Sequence, residues 1–430
     1  MKNKSEKINS NQSRKSVVRA LRHRNYRLFF GGQSLSMIGT WMQRIAIPWL
    51  VYRLTDSPFL LGVVGFAGQI PGFLLLPFAG VLADRWNRQR MLILTQCLLM
   101  VQAFALSLLV LTGTVQVWHL VVLSLLFGAV FAFDIPTRQS FLMDMIGEKE
   151  DLGNAVALNS SIVTGARLLG PTLAGILIGL VGEGICFLIN GTSYLAVIAA
   201  LLAMRIPPKD LQPQGSRVWD GLKEGFVYAS GFAPIRVILV LLALVSLMGM
   251  PHMVLMPVFA KNILHGGPHA LGFLMGAGGL GAMVGALYLA SRSTVLGLGK
   301  IILISVILFG LGLVAFSFSR VLWLSLVLIL ISGFGHMVQM ASSNTILQTI
   351  SDDDKRGRVM SFYAMAFSGM MPFGSLFAGL LASKIGAPAT VLIGGIACLL
   401  GAAVYARRLP ALRRMVHPVY EKMGIISEHY

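Results

Sequence analysis

Arg44 and Arg167 both fall inside long apolar stretches, and no Asp or Glu lies deep in any such stretch. A guanidinium near mid-bilayer costs at least about 2.5–3.5 kcal/mol on insertion scales, so it is expected to face a wet cavity or a partner. With no acid nearby to neutralise them, two such groups would hold an anionic or multiply polar solute. The competing role is helix packing or gating. Gln33, Ser36, Thr40 and Gln43 share with Arg44 an arc of about 100° at helical spacing, which reads as a stripe facing a cavity. His252, His336, Gln339 and Asn344 are polar positions of the same kind further along. A histidine titrates near neutral pH and can carry a proton, although a lone one in an apolar segment more often serves as a structural hydrogen-bonding residue. Enzyme chemistry finds no foothold. There is no His-Glu-x-x-His, no pair of intramembrane acids and no nucleophile beside a base. Cys97, Cys186 and Cys398 have neither metal-ligand nor disulfide-framework spacing, so no metal and no cofactor is expected.

The elements that must hold these residues are membrane helices. Of the 430 residues 56% are hydrophobic and 12% charged, against about 45–50% and 25% in soluble domains. Crossing the hydrocarbon core takes about 20 apolar residues. Twelve segments qualify, near 27–52, 59–82, 91–112, 117–136, 155–181, 185–204, 235–260, 271–290, 300–318, 321–346, 358–383 and 388–406. They are continuous apolar runs without period-two alternation, which argues against a barrel. The expected fold is all-α and integral to the membrane, with twelve transmembrane helices in two six-helix pseudo-repeat bundles.

Charge sets the topology. Of 35 Lys and Arg, 29 fall on one side of these segments; Arg53, Lys261, Arg320 and Lys384 fall on the other. The positive-inside rule then places both termini in the cytoplasm, as an even number of spans requires. The net charge of +18 reads as a collar facing anionic headgroups of membrane lipid, not as a nucleic-acid surface. The expected domains are a basic tail (1–25), an N-terminal bundle (26–204), a cytoplasmic linker (205–234) with a candidate interfacial helix at 219–229, a C-terminal bundle (235–407) and a second tail (408–430). A faint repeat crosses the linker. Leu61-Gly62 opens segment 2 as Leu271-Gly272 opens segment 8. Gly170 and Gly175 of segment 5 recur 204 positions later as Gly374 and Gly379 of segment 11.

Between segments 2 and 3 runs Gly80-Val-Leu-Ala-Asp84-Arg85-Trp-Asn-Arg88-Gln-Arg90. This resembles the signature of the major facilitator superfamily at the same place. The resemblance implies that Gly80, Asp84, Arg85 and Arg88 form a conformational latch. Asp84 would sit at the N-terminal end of helix 11, where a carboxylate is favoured by about 0.3–1 kcal/mol, and Arg88 would bridge Asp84 and another acid, for which Asp134 is the candidate. Asn87 stands where the family pattern has Gly; Asn tolerates the left-handed turn conformation. In segment 5, Gly170-Pro171 and Gly175 resemble the antiporter signature, with Ala166 and Ala174 in place of glycines. Gly39-Thr-Trp-Met-Gln43, Leu54-Thr-Asp-Ser-Pro58, Pro136-Thr-Arg138-Gln139, Asn154-Ala-Val-Ala-Leu-Asn159 and Gly357-Arg-Val-Met-Ser361 resemble the bacterial enterobactin-exporter and macrolide-efflux-like branch.

That branch implies a secondary exporter of a small siderophore-like or drug-like molecule, moving it from a bacterial cytoplasm across the inner membrane by alternating access. Proton antiport and a monomeric chain follow from the same resemblance. Uptake or facilitated diffusion, and a non-transporting membrane sensor, are the alternatives.

Overall fold

The computed structural model describes residues 19–146, 149–206, 227–292 and 294–424; the side chains of residues 76–85 and 149 are outside the described set. The N-terminal tail up to residue 18 and most of the linker, with most of the helix expected at 219–229, lie outside the described residues.

We number the long helices α1 (Arg24–Thr55), α2 (Pro58–Arg85), α3 (Arg88–Leu111), α4 (Val117–Ile146), α5 (Lys149–Val181) and α6 (Glu183–Ala203). The second half continues with α7 (Ala233–Ile263), α8 (Gly267–Ala290), α9 (Leu298–Phe318), α10 (Leu322–Ile350), α11 (Arg356–Ile385) and α12 (Ala387–Lys422). Among the described residues, eleven helices are long and apolar enough to cross a membrane. The exception is α1. Its 32 residues suffice in length, but Gln33, Ser34, Ser36, Gln43 and Arg44 lower its hydropathy. Large apolar side chains such as Leu180, Leu202, Phe318 and Trp323 point outward and are exposed. That is the pattern of helices solvated by lipid, in which each backbone polar group is satisfied within its own segment.

Among the described residues, three π turns interrupt the ladder: Val245–Gly249 and Phe259–Ile263 in α7, and Met365–Gly369 in α11. Such turns insert a residue and commonly mark functional positions.

The chain forms two compact units. One comprises residues 1–47 and 74–214, the other 48–73 and 215–430. The first unit is built on α3 packed against α4 and α6. Its small residues decide how close the helices come. A Cβ on Gly170 would stand 2.5 Å from the Trp41 Cβ, so α5 meets α1 at glycine distance. Pro171 follows within the helix, and Gly175 is buried.

The second unit is built on α10 packed against α8 and α9, with α12 behind α9. It also takes the C-terminal end of α1 and the first half of α2. There α2 and α11 touch backbone to backbone: a Gly379 Cβ would lie 2.7 Å from the Gly62 Cα. The Gln69 Nε2 donates to Ser375 Oγ at 3.2 Å. The Lys261 ammonium pairs with Asp56 at 2.5 Å, and Asn262 Nδ2 donates to the Tyr52 hydroxyl at 2.7 Å. Asp56 has φ 48°, a left-handed conformation that aspartate tolerates better than most residues.

Gly170→Leu is expected to push α5 off α1 and to cost about 1–3 kcal/mol, as overpacking does. Gly165→Leu is the control, since nothing lies within 4 Å of its added Cβ. Thermal melts of the purified protein should show a lowered Tm for the first variant alone.

Candidate functional site

The polar residues of α1 divide into two groups. Gln33, Ser36, Thr40 and Gln43 are all buried, at 1–4% exposure, whereas Arg44 is exposed. The stripe expected to face a cavity is therefore mostly turned into the first unit. The Asn190 Nδ2 of α6 donates to Gln43 Oε1 at 2.8 Å, Gln43 Nε2 donates to Gln102 Oε1 of α3 at 3.0 Å, and Gln102 Nε2 donates to the Leu123 carbonyl of α4 at 3.1 Å. Thr40 shares a hydrogen bond of 3.1 Å with the Tyr194 hydroxyl. This chain of amides ties α6, α1, α3 and α4 together. Helical periodicity identifies the polar face of α1 correctly. It does not reveal that α3 and α6 carry matching amides, which makes that face a buried seam.

Arg44 lies at the edge of that seam, over three aromatic rings. Its Cζ is 5.1 Å from the Trp41 centroid, 5.6 Å from Phe127 and 4.8 Å from Phe131. Arg167 of α5 approaches the same Trp41 ring, at 5.8 Å. Among the described residues, no carboxylate forms an ion pair with either guanidinium. Cation–π contact of this kind contributes about 0.5–2 kcal/mol and orients the group, but leaves its N–H donors and its charge uncompensated. The geometry can hold an anion: two planar donor sets approach one indole, each suited to a bidentate oxyanion.

Asp134 of α4 is 1% exposed. Its Oδ1 accepts from Thr95 Oγ1 at 3.0 Å and from Gln96 Nε2 at 2.7 Å, and its Oδ2 is 3.6 Å from Arg138. Asp134 is thus not the partner of Arg88. Arg88 pairs with Asp144 instead, at 3.0 Å. The physical reason is length: α4 continues ten residues beyond the apolar run that ends at 136 and carries Asp144 to the start of α3. Asn87 is another departure. It has φ −65°, and its Oδ1 accepts from the Arg90 N–H at 3.0 Å. It is an N-cap of α3, not a left-handed turn residue. Gly80, Asp84 and Arg85 lie in α2, but their side chains are outside the described residues.

Known proteins share this fold. The transmembrane secretion effector family matches residues 15–420. The chain belongs to that family. Among its relatives are the staphyloferrin A transporter of Staphylococcus aureus, 25% identical over 86% of this chain and 93% of that one. The multidrug efflux pump Tap of Mycolicibacterium fortuitum is 27% identical, over 86% and 92%. Of solved structures, a bacterial homologue of the human lysosomal transporter Spinster, inward-facing and unoccupied, superposes with TM-score 0.71 at 14% identity. It covers 92% of this chain and 98% of that one, and shows the fold. The protein is therefore an efflux-type transporter of the major facilitator superfamily, a multi-pass membrane protein with a small-molecule substrate and not an enzyme.

In this transporter the remaining candidates belong to the second unit. The His252 Nδ1 is 2.7 Å from the Gly249 carbonyl, at the end of a π turn, and its ring meets Phe309 edge-on at 5.9 Å. Phe309 leads to His336 at 5.5 Å, and His336 stacks on Phe367 of the α11 π turn at 5.9 Å. The two histidines thus share one aromatic ladder across α7, α9, α10 and α11. The Gln339 amide and the Ser342 and Ser246 hydroxyls are buried without hydrogen-bond partners among the described residues. Asn344 is half-buried and accepts from Gln348 Nε2 at 2.6 Å. Arg44 and Arg167 come together, and His252 and His336 come together. Gln33, Ser36, Thr40 and Gln43 are committed to internal packing. No cluster of His, Cys, Asp and Glu able to hold a metal occurs among the described residues.

Asn190→Leu is expected to strip Gln43 of a donor and leave its carbonyl buried and unpaired. That costs about 1–3 kcal/mol. The measurement is Tm with and without a rescuing second change, Gln43→Leu, which should recover part of the loss because an apolar pair leaves fewer polar atoms unpaired.

Proposed function

We propose that this transporter exports a small anionic, siderophore-like molecule from a bacterial cytoplasm by alternating access, with a proton gradient as its energy source. The observation that carries the reading is the pair of guanidinium groups, Arg44 and Arg167, that both approach the Trp41 ring with no carboxylate paired to either among the described residues. An anionic cargo would supply the charge that the protein withholds. The staphyloferrin A transporter among the relatives favours a siderophore. The multidrug pump Tap supports a second reading, efflux of neutral drugs.

The wider arrangement follows from this. Both termini lie in the cytoplasm, α1 completes twelve spans, and two six-helix halves, 26–204 and 235–407, rock about the cargo. In support of the repeat, Gly170 sets α5 against Trp41 of α1, and Gly374 sets α11 against Leu247 of α7 in the same way. In that orientation the contacts of Asp56 with Lys261 and of Gly62 with Gly379 lie at the outer end and act as the outer gate. At the inner end, Gly80, Asp84, Arg85 and Arg88 form the latch, with Asp144 holding Arg88 in place. Asp134 is the proton carrier in this reading: a carboxylate enclosed in protein, with Arg138 positioned to compensate its charge. The chain acts as a monomer.

Uptake into energised inside-out vesicles tests the reading. A labelled catecholate siderophore should accumulate, and an uncoupler should collapse the accumulation. Arg44→Ala and Arg167→Ala should each lower siderophore uptake about tenfold, the value of one charge-assisted contact. Accumulation of a neutral macrolide alone, unaffected by either variant, would replace the reading with the drug pump.

A further inference from the structure

Away from the arginine pair, the second unit contains a cavity of about 350 Å³ between the start of α7, the turn before α9 and the far end of α12. Its construction follows from the sequence of α12. This helix runs to Lys422, well past the 20 or so residues that a bilayer needs. The excess is amphipathic. Leu409, Leu412 and Val416 are buried, whereas Arg407, Arg408, Arg413 and Arg414 are exposed. The buried face forms one wall of the cavity, and Ile238 and Leu296 contribute to the others.

The polar side of the cavity is cationic. Lys300 and Arg413 line it, and both are exposed. Among the described residues, neither makes an ion pair or a side-chain hydrogen bond. Lys300 stands in the first turn of α9, whose dipole adds partial positive charge at that end. The nearest acid on α12 is Glu421, which is engaged by His417 at 3.1 Å. Tyr405 completes the site from below: it is 3% exposed, and its hydroxyl lies 3.5 Å from where a Gly299 Cβ would stand. The cavity thus combines apolar walls, two uncompensated cations and a helix N-terminus. In the orientation proposed above, this end of α9 and α12 faces the cytoplasmic leaflet.

We propose that this cavity binds the headgroup of an anionic phospholipid, with the phosphodiester between Lys300 and Arg413 and the glycerol end of the chains against Leu296, Leu409 and Leu412. The volume suits a headgroup and not a whole lipid, since ligand sites start near about 300 Å³. The acyl chains therefore remain in the bilayer. A leaflet rich in anionic lipid attracts basic groups beside a transmembrane helix by about 1 kcal/mol each, and here two such groups converge on one enclosed space.

Native mass spectrometry of the purified full-length chain in detergent, titrated with phosphatidylglycerol, tests this. The wild type should retain one tightly held lipid. Lys300→Ala and Arg413→Ala should each weaken its retention about tenfold, and Gly299→Leu should weaken it by filling the cavity. Arg414→Ala removes the same charge one residue away, outside the cavity, and should change nothing. Three results would overturn the proposal: Arg414→Ala weakening retention as much as Arg413→Ala, zwitterionic phosphatidylcholine being held as tightly, or glycerol phosphate displacing the lipid at equal concentration. The last would mean that the site takes a free phosphate and not a membrane lipid.

Discussion

Hydrocarbon offers no hydrogen bonds, and this constraint orders the molecule. Each polar group carried into the membrane must find a partner inside the protein or face a wet space. The first unit meets the requirement with a chain of amides running from Asn190 through Gln43 and Gln102 to a carbonyl of α4, and with the Thr95 and Gln96 bonds to Asp134. Once those residues are paired, the charge left over is informative. Arg44 and Arg167 have aromatic rings beneath them and no acid across from them, so the protein orients the two groups without neutralising them.

Small residues apply the same economy to shape. Helices in lipid gain no hydrophobic drive from meeting one another and rely on close packing. Glycine supplies it where α5 crosses α1 at Gly170 and where α2 crosses α11 at Gly62 and Gly379. The π turns Val245–Gly249 of α7 and Met365–Gly369 of α11 lie beside the histidine ladder, so the second unit departs from regular helix where its aromatic and polar side chains gather. An alternating-access transporter needs helices that pack closely yet part without exposing a ragged surface, and backbone-to-backbone glycine contacts suit that need.

Much of this was readable from the chain. Apolar runs of bilayer length gave the helices, because the spanning requirement is a matter of length and composition. The two arginines were visible by type alone. What was not readable depended on partners distant in sequence. The polar arc of α1 looked like a cavity lining, since periodicity identifies a face but not its neighbour; Gln102 and Asn190 lie 59 and 147 positions from Gln43. The Arg88 partner is not legible in the apolar pattern, because α4 outlasts its apolar segment and brings Asp144, not Asp134, to α3. Asparagine's tolerance of positive φ suggests a turn residue at Asn87, while its capping bond depends on where α3 begins. The lipid-like cavity left only a trace, the amphipathic end of α12 with its apolar residues at 409, 412 and 416.

The most direct test of the central claim is the fluorescence of Trp41 in a variant retaining that tryptophan alone, because both arginines contact its ring. A catecholate siderophore should change the emission saturably, and half-saturation should need about tenfold more siderophore in Arg44→Ala and in Arg167→Ala. A neutral macrolide that saturates the signal while the anionic siderophore leaves it unaltered would contradict the account.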